Sequence, residues 1–153
     1  MKAHFSVGIV PCSKQKVWDI TPNKKSVRAD EAYRSKFHRL SLEYVRQRVD
    51  FSLILSAKYG LLELGSPIPG PYDVSFNAPE GRPISFEAIR RQWFSLPIAP
   101  TAEVMVLCPS AYAKIIEMAL CNGQHRISYP LKGVGGWGRM HSWLGEQIDQ
   151  HGL

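Results

Sequence analysis

With 153 residues, 44% hydrophobic and 21% charged, the chain is long enough to bury one core and reads as a single α/β domain over residues 1–153. No apolar run approaches the ~20 residues of a membrane span, no small-residue cleavage site follows Met1-Lys2-Ala3-His4-Phe5, and three cysteines without C-x-x-C spacing argue against a disulfide framework or structural zinc, so a reducing cytoplasm is expected. The net charge of +6, much of it between Lys14 and Arg48, favours an anionic partner such as nucleic acid or nucleotide, although a solvated helix surface is the plainer reading.

In chain order, His4–Val10 is short, apolar and β-branched, and reads as the first strand. Residues 11–28 hold Pro11, Pro22, Asn23 and five lysines or arginines, the composition of a loop. Ala29–Val49 reads as a first helix, because Tyr33, Phe37, Leu40 and Tyr44 recur at 4, 3 and 4 positions and form one apolar stripe. Phe51–Ser56 is the second strand. Residues 60–84 carry Pro67, Pro69, Pro71, Pro79 and Pro83, which exclude a regular helix or central strand. Tyr72, Phe76 and their aliphatic neighbours predict a packed loop there. Ser85 can cap a second helix to about Phe94, bearing Phe86, Ile89 and Trp93. Glu103–Cys108 is the third strand. Ser110 can cap a third helix that stops at Asn122-Gly123. Arg126–Tyr129 is a fourth strand, and a glycine-rich loop leads into a last helix with Trp137, Met140, Leu144 and Ile148. Strands alternating with helices predict a three-layer α/β sandwich, a mostly parallel four-stranded sheet with helices on both faces.

Three of these strands end on polar residues: Pro11-Cys12-Ser13-Lys14, Ser56-Ala57-Lys58-Tyr59-Gly60 and Cys108-Pro109-Ser110. In an open α/β sheet the carboxyl ends of parallel strands are where ligands gather. Cys12 reads as a nucleophile or as a small buried filler. Ser13 can hold an anion or a base edge, and Lys14 or Lys16 a phosphate, if either is more than a surface lysine. A lysine at the end of an interior strand is costly to bury unpaired, so Lys58 should face a cleft or an acidic partner such as Glu63 or Asp73. There it could bind phosphate or act as an amine of lowered pKa. Gly60 permits a turn closed to larger residues. Asp73 could orient a base or a water, or close an Asx-turn, and Tyr72 could stack on a base or simply pack. Ser56, Tyr59 and Ser110 complete the set of substrate-binding candidates.

Gly133-Val134-Gly135-Gly136-Trp137-Gly138 matches G-x-G-x-x-G formally, yet only fifteen residues follow it, too few for a dinucleotide fold. A glycine-rich loop before a helix can bind an anion or serve close packing. His4, His38, His125, His141 and His151 show no ligand spacing, so no metal and no cofactor is expected.

Together, Cys12-Ser13 with a following lysine, Ala32-Tyr33 before Ser35 and Phe37, Leu55-Ser56-Ala57-Lys58-Tyr59-Gly60-Leu61-Leu62, Pro71-Tyr72-Asp73 and Pro130-Leu131-x-Gly133 resemble a family of small, mostly uncharacterised bacterial and phage domains. More distantly, Pro11-Cys12-Ser13-x-x-Lys16 is similar to the signature of the archaeosine synthase core domain. This chain departs from it afterwards, with Val17-Trp18-Asp19 where that family has proline, tyrosine and histidine. The wider relationship, which includes the peroxide stress protein YaaA, implies a uracil-DNA-glycosylase-like fold and the handling of bases, nucleosides or nucleic acid. Under that resemblance the expected function is an enzyme acting on a nucleobase or nucleoside, free or within DNA or RNA. Lys58, Asp73 and Cys12 would be catalytic, and Ser13, Lys16, Ser56, Tyr59, Tyr72 and Ser110 would bind substrate. The alternative is a non-catalytic nucleic-acid-binding stress or defence protein. No membrane partner is expected, and the oligomeric state stays open.

Overall fold

The computed structural model describes residues 3–121, 123 and 125–152. β1 (His4–Pro11) is followed by a one-turn helix α1 (Val17–Ile20), a short strand β2 (Val27–Arg28) and the helices α2 (Ala29–Ala32) and α3 (Lys36–Arg46). β3 (Phe51–Ser56) turns back into β4 (Gly60–Glu63), and β5 (Pro67–Ile68) comes next. After a 3-10 turn at Pro79–Gly81 come α4 (Phe86–Ser95), β6 (Ile98–Val106), α5 (Ser110–Leu120), β7 (Arg126–Ser128) and α6 (Trp137–Gly152).

The main sheet has five strands in the order β4-β3-β1-β6-β7. β1 runs parallel to β3 and β6, β7 parallel to β6, and β4 antiparallel to β3. The sheet is therefore mixed and five-stranded, which corrects the four strands expected. The additional strand is β4, which lies within the stretch expected as a proline-rich loop, although Pro67 falls only after β4 has ended. An antiparallel strand on the edge of a parallel sheet is a common arrangement. β2 and β5 form a separate two-stranded ribbon with Pro67 at a strand's first residue, where no ladder N–H is needed.

Alternation along the central strands sorts side chains between two cores. Val7, Ile9, Leu53, Leu55, Val104 and Val106 pack with Ile89 and Trp93 of α4 and with Ile116 and Leu120 of α5. Val10 and Ile54 pack instead with Phe37, Leu42 and Val45 of α3 and Leu144 of α6. The result is three layers, with the sheet between the α3/α6 pair and the α4/α5 pair. None of the described helices is long and apolar enough to cross a membrane.

Several expected boundaries shift for identifiable reasons. The single helix over Ala29–Val49 is two, because Tyr33 is extended (φ −102, ψ 130) and bridges to Lys16. Ser35 then caps α3 by accepting from the His38 N–H at 3.1 Å. The third strand begins at Ile98, not Glu103, because Pro100 lies in the stretch where the β1–β6 register shifts and no ladder donor is required. Residues 11–28 are not all loop, since α1 and β2 lie within them. Ser85 caps α4 as expected, accepting from the Ala88 N–H at 3.2 Å. Ser110 is the first residue of α5 rather than its cap, which is Pro109. At the far end of α5 the Gly123 N–H donates to Leu120 O at 2.9 Å, while Asn122 lies outside the described residues.

Gly60 adopts φ +81, a conformation other residues resist. A Cβ there would also fall on the Gln92 side-chain amide, which accepts from Leu61 N–H and donates to Tyr59 O, both at 2.8 Å. Gly60→Ala is expected to destabilise by about 2 kcal/mol in urea denaturation. A loss below about 0.5 kcal/mol, within the range of an ordinary surface change, would contradict this.

Candidate functional site

The chain leaves β1 through α3 to reach β3 on one side, then crosses through α4 to β6 on the other side. The carboxyl ends of β1 and β6 thus flank a topological switch point, where the two crossovers leave a crevice. Beside it lies a cavity of about 250 Å³ lined by Cys12, Ser13, Lys14, Lys16, Asp73, Val74, Ser75 and Tyr112.

The loop after β1 is held by its backbone. Cys12 N–H donates to Leu55 O at 2.9 Å, extending the β1–β3 ladder past the strand. The Ser13 hydroxyl donates to Gln15 O at 2.6 Å, and Arg34 N–H donates to the same carbonyl at 2.9 Å. This tight turn directs Lys16 inward, and the residue is only 5% exposed. Its ammonium donates to Lys14 O at 3.2 Å and lies 4.5 Å from the centroid of the Tyr72 ring. Among the described residues it makes no ion pair. Burial pulls its pKa below that of a free lysine, against the opposing influence of Cys12, Asp19 and Asp73. Across the cavity the Cys12 thiol lies 3.9 Å from the Tyr112 hydroxyl. Burial pushes that phenol up to about 12, so it is a neutral donor at physiological pH. Phe76 packs edge-on against the Tyr112 ring at 4.7 Å and fixes the 69–78 loop to α5.

Behind the cavity runs a chain of buried hydroxyls. Ser56 accepts from the N–H groups of Lys58 and Tyr59 at 3.2 and 3.1 Å, which leaves its own proton for Tyr72 at 2.8 Å. Tyr72 in turn donates to Tyr33 at 2.5 Å. Burial raises the pKa of both phenols, so the relay stays neutral and supports the Pro71-Tyr72-Asp73 segment.

His38 anchors the same loop from α3. Its Nδ1 donates to Pro11 O at 2.7 Å, so Nε2 is the unprotonated nitrogen, and it is buried without a partner among the described residues. Burial depresses the pKa below the usual histidine value of 6.5. The unfolded chain therefore takes up the proton first as pH falls. The stabilisation is fully present above pH 6.5 and is lost as pH drops through the folded pKa. His38→Asn, which keeps a donor but cannot titrate, is expected to flatten the fall in urea-derived stability between pH 6.5 and acid. An unchanged slope would place the acid sensitivity elsewhere.

Among the sequence candidates, Cys12, Ser13, Lys16 and Asp73 meet in this one cavity. Tyr72 lies beneath Lys16, while Ser56 and Tyr59 belong to the supporting turn. Lys58 is exposed, 5.2 and 5.6 Å from the Tyr59 and Tyr72 ring centroids, with no ion pair to Glu63 or Asp73. The buried lysine is thus Lys16 rather than Lys58, because the turn after β3 lifts Lys58 to the surface. Ser110 lines a different cavity, near the ends of β6 and β7. Tyr112, Val74 and Ser75 join the polar cavity without a distinctive sequence signal, since a tyrosine inside a helix usually packs.

The fold and cavity define an open α/β protein with a polar site at the carboxyl ends of its central strands. The chain belongs to DUF6884, a family of unknown function, which matches residues 7–146. It is also 32% identical over 142 residues to Uncharacterized protein YfjM of Bacillus subtilis (strain 168), covering 93% of this chain and 94% of that one.

Proposed function

We propose that the protein is an enzyme acting on a nucleobase or nucleoside, free or within DNA or RNA, by base modification or glycosidic-bond chemistry. The observation that carries this reading is the buried Lys16 amine facing a cavity with a thiol, a carboxylate and a neutral phenol. At about 250 Å³ the space is below the usual range for drug-sized ligands and suits a single ring. In this reading the uncharged fraction of Lys16, enlarged by burial, serves as base or nucleophile. Asp73 orients a base edge or a water, and Cys12 is a second nucleophile. Ser13 shapes the loop, and the exposed Lys58 holds a phosphate or sugar oxygen. The resemblance of the Pro11-Cys12-Ser13-x-x-Lys16 segment supports the same reading, together with a uracil-DNA-glycosylase-like fold and a cytoplasmic location.

The net charge of +6 favours a second reading, a non-catalytic nucleic-acid binder. Part of that charge is already engaged: Arg28 and Arg46 pair with Asp30, and Arg48 braces α6 through Gln147 O. Incubation with free nucleosides and with short DNA and RNA strands, followed by nucleoside mass spectrometry, separates the two. The enzyme reading expects a released or altered base with the wild type and none with Asp73→Ala. Unaltered bases, with strand binding that weakens steeply with salt and ignores Cys12 and Asp73 substitutions, would replace it by the binder.

A further inference from the structure

We propose that the larger cavity at the ends of β6 and β7 is a second binding site, for a flat aromatic ring that carries a phosphate. The cavity measures about 610 Å³, within the range of small-molecule sites, and shares no lining residue with the polar cavity. Its walls are apolar, with Val106, Leu131 and Met140 among them. At its edge the Trp137 indole is 54% exposed, yet its ring is fixed edge-on against Phe37 at 4.9 Å and 88°. A half-exposed but braced indole is a ready stacking platform.

Charge supplies the second requirement. Lys114 and Lys132 line the cavity and are exposed, and among the described residues neither makes an ion pair. Among the described residues the one carboxylate there, Glu117, is engaged by the Tyr129 hydroxyl at 2.5 Å. Two unpaired ammonium groups beside one occupied carboxylate leave the site net positive. An apolar slot with an aromatic wall and two such cations fits a ring on one side and a dianion on the other. A free nucleotide and one nucleotide of a strand share that chemistry. This site does not depend on the reading of the polar cavity, since α5 turns Tyr112 toward that cavity and Lys114 and Glu117 toward this one.

Calorimetric titration at low salt tests it with 1-naphthyl phosphate, adenosine monophosphate, their phosphate-free counterparts 1-naphthol and adenosine, and a short single strand. The phosphates are expected to bind at least tenfold tighter than the bare rings. Trp137→Ala and the double change Lys114→Ala with Lys132→Ala should each cost tenfold or more, while Lys16→Met leaves the affinity within twofold. A strand binding tenfold tighter than the mononucleotide would identify a strand as the source, and equal affinity a free nucleotide. Phosphates that bind no better than bare rings, that ignore Trp137→Ala, or that do not bind would overturn the proposal. Lys16 variants alone bear on the polar cavity, so the two assignments fail separately.

Discussion

Lys16→Met is expected to raise the melting temperature by about 2–4 °C and to abolish turnover, the combination that marks a residue kept for chemistry. In the folded protein the Lys16 ammonium gives up most of its water for one carbonyl, that of Lys14, and the face of Tyr72. A buried charge so sparsely compensated costs more than an apolar side chain of similar length, here by about 1 kcal/mol. The pH dependence has a definite sign. Because the folded pKa is depressed, the penalty is complete below it and fades as pH climbs toward 10.5, the value of an unperturbed lysine. The stability advantage of methionine should therefore be largest at neutral pH and shrink in alkali. A variant that melts lower and retains activity would make Lys16 a structural residue.

The second large effect is steric. Gly8→Ala should destabilise the protein by about 3 kcal/mol. Gly8 is where α3 crosses β1, and a Cβ there would lie 2.7 Å from Val45 Cβ and 2.9 Å from its Cγ1. Val45 is completely buried, and its Cβ cannot rotate away, so α3 itself must move. His38 rides on α3 and grips Pro11 O, so that displacement would also loosen the loop presenting Cys12 and Lys16. Adding Val45→Ala relieves only the Cγ contact, and rescue should be partial. A loss below about 1 kcal/mol would show that the helix–strand approach has slack.

Much of this architecture is legible in the sequence because local signals and tertiary packing agree. The apolar runs at β1 and β3, the Ser85 cap and the polar strand ends locate the sheet and the edge where the cavity forms. The strand ends lead to Cys12, Ser13 and Lys16, and the Pro71-Tyr72-Asp73 segment to Asp73. Where the signals mislead, long-range contacts decide. The stripe from Tyr33 to Tyr44 looks like one helix, but Tyr33 leaves it to bridge Lys16 and bond Tyr72. Prolines beyond Glu63 mask the hairpin strand β4. Which lysine is buried was not readable at all. Lys58 follows a buried strand yet sits on an outward turn, whereas Lys16 follows a polar loop that the Ser13 turn folds inward.

The most direct test of the polar cavity is a thermal-shift screen of wild type, Lys16→Met and Asp73→Ala against bases and nucleosides at two salt concentrations. A ligand at a hundred times its dissociation constant adds about 2.7 kcal/mol, well within reach of such a screen. One base or nucleoside should stabilise the wild type equally at both salts and neither variant. Stabilisation that persists in both variants, or no stabilisation by any base or nucleoside, would contradict the assignment.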